Sequence, residues 1–389
     1  MSAPFADDPA SRALALTPLV RECADEAERE RRLPERLAVA MADAGLYRIA
    51  APASVGGGEC DPRTQIETIE VVSHADGAAG WNLMIGIENV GFLGAALTRE
   101  AAEKIFADPR LVVAGALNPV GRATPVEGGY RVTGQWPFAS GCHNAQYFWG
   151  QCIVYDGDAP VPGPSGGLTL REAVVPAADF EIVDTWHVSG MRGSGSHDVA
   201  VRDVFVPHEH ITAALSTPPR ESGPLFRFPP FCRLAYNKVG VSTGIARAAL
   251  DHFAELAAET KRRGSARALR DKPAVQLAVA EAETLLRSAR AFVFDAVGDV
   301  WDTAQAGDEV DRRQRAAVHL ACSNAAGASV RAVELVHAAA GSAANFTAHP
   351  LDRCLRNVRV VPQHIMVSAQ WMQSAAGVLL GLDSELPFF

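Results

Sequence analysis

The sequence lacks a long apolar run and a secretory leader. No stretch approaches the roughly 18 consecutive apolar residues that a membrane-spanning helix needs. The first residues, MSAPFADDPASR, carry acids instead of the basic segment and apolar core of a signal peptide. With 48% hydrophobic and 21% charged residues in a chain of 389, the composition is that of a globular protein. The sequence therefore predicts a cytoplasmic chain that makes no use of a membrane.

Paired cysteines and basic tracts are also missing. The seven cysteines are scattered and include no Cys-x-x-Cys, which argues against a disulfide framework and against a structural zinc site. The net charge is -9, and KRRGSARALR, at 261–270, is the one basic cluster. An acidic chain of this kind is a poor candidate for nucleic-acid binding. We expect a small-molecule partner and no metal.

The hydrophobic periodicity changes twice along the chain. Residues 1–108 show amphipathic helical spacing, as in LPERLAVAMADAGLYRI. Residues 109–215 consist of short alternating runs such as GYRVTGQW and SHDVAVRDVFVP, bounded by turn residues. Residues 216–389 return to long, alanine-rich helical patterns. The sequence predicts an α+β chain with an N-terminal helical domain, a middle β domain and a C-terminal helical bundle.

A glycine-rich segment, GMRGSGSHDVAVRDVFVP at 190–207, invites comparison with dinucleotide-binding loops. Such loops lie between a strand and a helix, so that the pyrophosphate meets a helix N-terminus. Here an alternating strand pattern follows the glycines. A tight turn between strands is the better interpretation, although Ser194, Ser196 and the backbone amides could still meet a phosphate.

The order of these blocks, together with VDTWHVSGMRGSGSHDVAVRDVFVP at 183–207, resembles the acyl-CoA dehydrogenase superfamily over nearly the whole chain. The resemblance implies an N-terminal helical domain, a middle β-barrel or sandwich and a C-terminal four-helix bundle. Within that superfamily, QWPFASGCHNAQ and HPLDRCLRNVRVVPQHIMVSAQ are similar to segments of the two-component, or group D, flavin-dependent monooxygenases. GAAGWNLMIG resembles the same branch.

A missing carboxylate supports the monooxygenase branch. A dehydrogenase needs a carboxylate as general base. From Gly341 onward the acids are Asp352, Asp383 and Glu385, and none lies in the context that carries the dehydrogenase base. The segment GPLFRFPPFCRLAYNKVGVSTG, the alternative location of that base in the family, contains no acid.

The resemblance implies a cofactor and partners as well as a reaction. Reduced FMN or FAD, with FMN favoured, would come from a separate flavin reductase and bind between the β block and the bundle. Dioxygen would be the co-substrate, and a flavin C4a-hydroperoxide would transfer one oxygen atom to a small, aromatic substrate. A homotetramer is implied by the same resemblance.

Two residues carry the implied chemistry. His364 stands where these monooxygenases keep an active-site histidine, and its ordinary pKa of about 6.5 would let it act as base or donor near neutral pH. Ser140 would accept from the flavin N5–H or donate to the peroxide. Cys142, beside it, is interpreted as a filler thiol.

The remaining predicted contacts are apolar walls and polar partners. Trp136 and Phe138 would line the flavin, although either can also be strand core. Further cofactor contacts are predicted at Asn118, Ser194 and Arg263, the last for the phosphate. The substrate pocket is expected to include Trp81, Glu88 and Asn89, where several phenol-hydroxylating relatives have a histidine in place of this Glu-Asn pair.

Two alternatives stay open at this point. One is an acyl-CoA dehydrogenase whose base is displaced. The other is a flavin-binding protein without catalytic activity.

Overall fold

The structure is a computed structural model that describes residues 8–163, 166–260 and 267–382. Contacts divide the chain into two compact units. The first takes in residues up to Cys60, Asn82–Val188 and Arg192–Phe226, and the second takes in Asp61–Trp81, Ser189–Met191 and the chain from Arg227. Described strands run from Val113 to Thr212, with helices before and after, so the predicted fold class is confirmed. The predicted limits of the three domains stay a prediction.

Local capping marks the ends of several helices. In chain order, the helices of the described residues are α1 (Pro9–Glu30), α2 (Glu35–Asp43), α3 (Pro62–Ala75), α4 (Gly77–Ala96), α5 (Arg99–Ile105), α6 (Pro224–Arg227), α7 (Pro230–Glu259), α8 (Pro273–Ala306), α9 (Arg312–Ala340), α10 (Pro350–Val358) and α11 (Ala369–Leu379). The side chains of Asp61 and Asp311 accept from backbone N–H groups in the first turns of α3 and α9. Gly307 adopts the left-handed conformation that ends α8.

The strands belong to one mixed sheet in the first unit. They are β1 (Val113–Val126), β2 (Gly129–Trp136), β3 (Tyr147–Asp156), β4 (Ala159–Pro160), β5 (Leu170–Pro176), β6 (Glu181–Val183), β7 (Asp198–Pro207) and β8 (Ile211–Thr212). The order is β6-β7-β2-β1-β3-β5-β8, and β4 pairs with β3. β1 and β3 are parallel, whereas the other pairs are antiparallel. Every run predicted as a strand contains one.

The core of the sheet is built around Trp136. Its indole is fully buried, packs on Phe148 at 5.3 Å between ring centroids, and donates from Nε1 to the carbonyl of Gln151 at 2.6 Å. A Cβ at Gly121 would lie 2.1 Å from this ring, and one at Gly134 would lie 2.7 Å from it. Glycines at these strand positions therefore make room for the indole.

The second unit is a helical assembly centred on α7. This helix packs on α3 and α9, and α9 in turn packs on α8 and α11. Arg290 of α8 binds the Glu70 carboxylate of α3 through two nitrogens, each at 2.9 Å, and Thr243 of α7 donates to the same carboxylate at 2.8 Å. Among the described residues, no helix is long and apolar enough to cross a membrane.

Candidate active site

The segment after β2 holds an exposed aromatic ring next to a buried hydroxyl. Phe138 has a φ of 66°, which is uncommon for a bulky residue, and its side chain is 66% exposed. Strand alternation ends at Trp136, so the left-handed turn at Phe138 brings its ring to the surface of the first unit. Ser140, two residues on, is buried. Trp136 lies in the core, and its predicted role as a cofactor wall stays a prediction.

The glycine-rich segment meets this turn through its serines. The Ser140 hydroxyl lies 2.7 Å from the Ser196 hydroxyl, which lies 2.7 Å from that of Ser194. Ser194 is fully buried. Its predicted contact with the cofactor stays a prediction. The strand β7 follows this segment, as predicted.

Backbone hydrogen bonds hold the two segments together. Ala139 donates from its amide to the carbonyl of His197 at 3.0 Å, and Gly141 donates to the carbonyl of Ser194 at 3.1 Å. Burial raises the pKa of the Cys142 thiol to about 12. The thiol is therefore protonated at neutral pH, which agrees with its interpretation as filler.

Asn118 is an exposed residue of β1. It lies where the pairing of β1 with β3 shifts register, between Ala116 and Gly121. An irregular strand segment of this kind frees side chains from the ladder and turns them outward. Its predicted role at the flavin ring stays a prediction.

In the second unit, His364 lies against Trp81. The ring centroids are 5.7 Å apart in an edge-to-face arrangement. The Nδ1 atom of His364 accepts a hydrogen bond from the backbone N–H of Met366 at 3.2 Å. Burial, followed by the positive charge of Lys238, lowers the pKa of His364 well below its ordinary value.

These observations fix the tautomer of His364. A neutral imidazole whose Nδ1 accepts must carry its hydrogen on Nε2. A neutral His364 therefore carries a hydrogen-bond donor at Nε2. Burial disfavours the protonated imidazole, and both predicted roles of His364, as base and as donor, stay predictions.

The other two predicted pocket residues lie on α4. Asn89 is buried and donates from its amide to the carbonyl of Val113 at 3.0 Å, and a Cβ on Gly115 would lie 2.9 Å from the same amide. Asn89 thus ties the helix to β1, and its predicted place in the substrate pocket stays a prediction. Glu88 is buried.

Arg263 lies outside the described residues, so its predicted phosphate contact stays a prediction. No group of histidine, cysteine and acidic side chains suited to hold a metal ion occurs in the described part of the chain.

The sequence analysis did not single out Lys238, a fully buried lysine of α7 whose positive charge lowers the pKa of His364. The sequence feature that could have drawn attention to Lys238 is its position as a single lysine inside the otherwise uncharged run LAYNKVGVSTG.

Comparison with known proteins agrees with this fold. Residues 12–104 match the acyl-CoA dehydrogenase N-terminal domain, and residues 238–369 match the acyl-CoA dehydrogenase C-terminal domain. The chain is 34% identical to indole-3-acetate monooxygenase of Pseudomonas putida over 92% of this chain and 89% of that protein. It is 28% identical to the flavin-dependent monooxygenase oxygenase subunit HsaA of Mycobacterium tuberculosis, covering 90% and 89%.

A solved structure of a flavin-binding protein has the same fold as this chain. XiaF from Streptomyces sp., in complex with FADH2 and glycerol, superposes with a TM-score of 0.90 at 26% identity. The match covers 98% of this chain and 97% of that chain.

Proposed function

Because the chain belongs to the acyl-CoA dehydrogenase superfamily, in its branch of two-component flavin-dependent monooxygenases, we propose that it transfers one oxygen atom from dioxygen to a small aromatic substrate. The observation that carries this proposal is the exposed ring of Phe138 in the same short turn as the buried Ser140, whose amide donates to the Phe138 carbonyl at 2.9 Å. An apolar ring next to one directed polar group suits a flat cofactor with a polar edge.

Reduced flavin, when bound, activates dioxygen and supplies the oxygen atom that enters the substrate. Phe138 would cover part of its ring system and exclude water there. Ser140 would bond to its polar edge, and Asn118 would offer a further amide. FAD is favoured over FMN, a change from the sequence-based expectation, because the similar XiaF structure is a complex with FADH2.

His364 would act as a donor in this reaction. With its hydrogen on Nε2, it stabilises negative charge that develops on an oxygen atom of the substrate or of the oxidant. The hydrogen bond from Met366 holds the tautomer, and the edge contact with Trp81 limits rotation of the ring. A neutral donor keeps this role over a wide pH range.

The substrate and partners follow from the relatives. The name of the Pseudomonas putida relative supports an aromatic acid such as indole-3-acetate as the first substrate to test. HsaA is named an oxygenase subunit, which supports a separate reductase for this chain too. Neither alternative, the displaced-base dehydrogenase or the non-catalytic protein, is favoured by a contact in the described residues.

The direct test mixes the purified chain and chemically reduced FAD with oxygenated buffer and indole-3-acetate, and follows the product by mass spectrometry with labelled dioxygen. One labelled atom in the product is expected. Consumption of dioxygen without any oxygenated product, over a panel of indoles and phenols, would contradict the proposal. Anaerobic bleaching of oxidised FAD by an acyl-CoA would instead support the dehydrogenase.

Substitution of His364 tests its role as donor. For His364→Phe we expect kcat/KM to fall about a hundredfold, because one donor to developing negative charge is lost. His349→Phe is a matched control, since His349 also accepts from the N–H two residues on, at 3.2 Å, where α10 begins. An equal fall in kcat/KM in both variants would contradict the role of His364 as a donor. It would show that the effect comes from losing the hydrogen bond that the histidine Nδ1 accepts from the backbone.

A further inference from the structure

A buried histidine, His197, joins two segments of the first unit that each carry an aromatic ring. It directly precedes β7 and is 3% exposed. Its backbone carbonyl accepts from the amide of Ala139 at 3.0 Å, in the turn that holds Phe138. Its imidazole accepts from the amide of Trp186 at 3.3 Å, in the connection that follows β6. One residue therefore anchors the backbone beside both rings.

The two rings themselves meet edge to face. The centroids of Phe138 and Trp186 are 6.2 Å apart, and the ring planes are 89° to one another. Aromatic pairs prefer this arrangement, because the positive edge of one ring meets the negative face of the other. Phe138 is exposed, whereas Trp186 is half-buried. The orientation of the exposed ring therefore depends on where Trp186 lies.

Backbone groups fix the tautomer of His197. Its Nδ1 lies 3.3 Å from the N–H groups of Thr185 and Trp186, which can only donate, so Nδ1 accepts. Its Nε2 lies 3.2 Å from the carbonyl oxygen of Arg31, which can only accept, so Nε2 carries the hydrogen. Burial lowers the pKa of His197 below its ordinary value, which favours this neutral form.

Charged groups around His197 reinforce the same anchor. Arg31, directly after α1, donates to Asp184 through two nitrogens, at 2.6 and 3.0 Å. The Asp184 carboxylate lies 3.4 Å from Nδ1 of His197 and 3.6 Å from Nε2 of His187, and the ring of His143 packs on that of His197 at 5.1 Å. A proton on Nδ1 would oppose the two backbone N–H groups and turn the imidazole toward Asp184. Anchoring of the connection therefore requires the neutral ring.

We propose that His197 is a positioning residue that holds Trp186 against Phe138 and thereby sets the aromatic surface that the flavin meets. This inference rests on the proposed function, because that function gives the exposed Phe138 ring to the cofactor. A ring that is already held in one orientation loses less conformational entropy when a flat ligand binds. His197 acts through Trp186 and has no contact with the flavin of its own.

The test measures dissociation constants for FAD. Oxidised FAD is titrated by its absorbance change, and dithionite-reduced FAD is titrated under anaerobic conditions. His197→Phe keeps a ring but removes both nitrogens, and we expect FAD binding to weaken about three- to tenfold, the effect of one lost neutral hydrogen bond.

Two amide variants separate the anchor from the bulk of the ring. His197→Asn should bind FAD as the parent does, because its amide oxygen can take the place of Nδ1 as the acceptor for Trp186. His197→Gln carries its amide one carbon farther out, near the position of Nε2, and should weaken binding as His197→Phe does. His197→Gln replaces His197→Phe if that variant does not fold.

A double-mutant cycle separates positioning from general destabilisation. If His197 acts through Trp186, then His197→Phe should weaken FAD binding no further in a Trp186→Ala background. His208→Phe is the control, because His208 of the same unit packs edge to face on Tyr130 at 5.6 Å and, among the described residues, bonds to neither Trp186 nor Ala139.

A measurement without flavin tests the positioning itself. In the chain labelled with 5-fluorotryptophan, the fluorine resonance of Trp186 is assigned by its loss in Trp186→Phe. We expect His197→Phe to shift this resonance, and His197→Asn and His208→Phe to leave it in place.

Additive losses in the cycle, or an unshifted Trp186 resonance in His197→Phe, would overturn the positioning role. Full-strength FAD binding by His197→Phe would also overturn it while leaving the proposed function intact. A parent chain that binds neither FAD nor FMN in either oxidation state would remove both proposals.

Discussion

At the scale of single residues, Trp136 and Phe138 have opposite environments although they are two positions apart. On a regular strand they would share a face. The strand ends at Trp136, and the positive φ of Phe138 reverses the direction of its side chain. Two aromatic residues that look equivalent in the sequence therefore have separate roles, one in packing and one at the surface.

Alanine substitutions should separate these roles. Phe138→Ala is expected to change the free energy of unfolding by less than about 0.5 kcal/mol, because the ring is exposed, and to weaken FAD binding. Trp136→Ala is expected to cost about 3–5 kcal/mol, because it leaves a cavity and removes the donor to Gln151. Denaturant unfolding and flavin titration measure the two effects. A Phe138→Ala variant with unchanged FAD affinity would refute the assignment of its ring to the cofactor.

At the scale of helices, His319 of α9 is buried in the second unit. Its ring stacks on Trp371 of α11 at 3.9 Å between centroids, with 14° between the planes. Its Nε2 lies 3.7 Å from the Cys232 sulfur of α7. Burial lowers the pKa of His319 to about 3. The packing of these three helices therefore depends on a neutral imidazole.

This burial predicts a loss of stability in acid. The unfolded chain binds a proton at His319 below about pH 6.5, whereas the folded chain does not until about pH 3. The stabilisation is complete above pH 6.5 and is lost as the pH falls, by up to about 1.4 kcal/mol per pH unit. Urea unfolding between pH 7 and pH 4 measures that slope.

His319→Phe keeps an aromatic ring on Trp371 and removes the titration. We expect the free energy of unfolding of this variant to depend less steeply on pH than that of the parent, by the equivalent of about one bound proton. His187→Phe, which replaces an exposed histidine of the other unit, serves as the control. Identical slopes for the parent and His319→Phe would show that this histidine does not govern the acid limit.

At the scale of the whole molecule, the described part of the second unit leaves large apolar side chains exposed. The most exposed are Leu380, Leu277, Phe346, Leu382 and Ile365. Apolar surface of this kind favours association. The predicted homotetramer would give a mass of four times 41.2 kDa by light scattering. Leu380→Asp should lower that mass if α11 contributes to an interface, and a monomeric parent would contradict the prediction.

Much of the fold could be predicted because its signals are local. Helical and strand periodicities, the aspartates before α3 and α9, and the strand pattern after Ser196 are each readable within one segment. The candidate site was predictable only in part. His364 and Ser140 stand in recognisable motifs, but the pKa of His364 depends on burial and on Lys238, which is more than a hundred residues away in sequence.

The sequence by itself determined the order of helical and β segments, the family, and the residues that could carry oxygen chemistry, because periodicity and motif spacing are properties of neighbouring residues. Only the tertiary structure decided the surroundings of those residues. It buried Trp136 and exposed Phe138, lowered the pKa of His364, and joined Ser140 to Ser196 across 56 positions of sequence. The physical reason is that burial and hydrogen-bond direction depend on groups that only folding brings together.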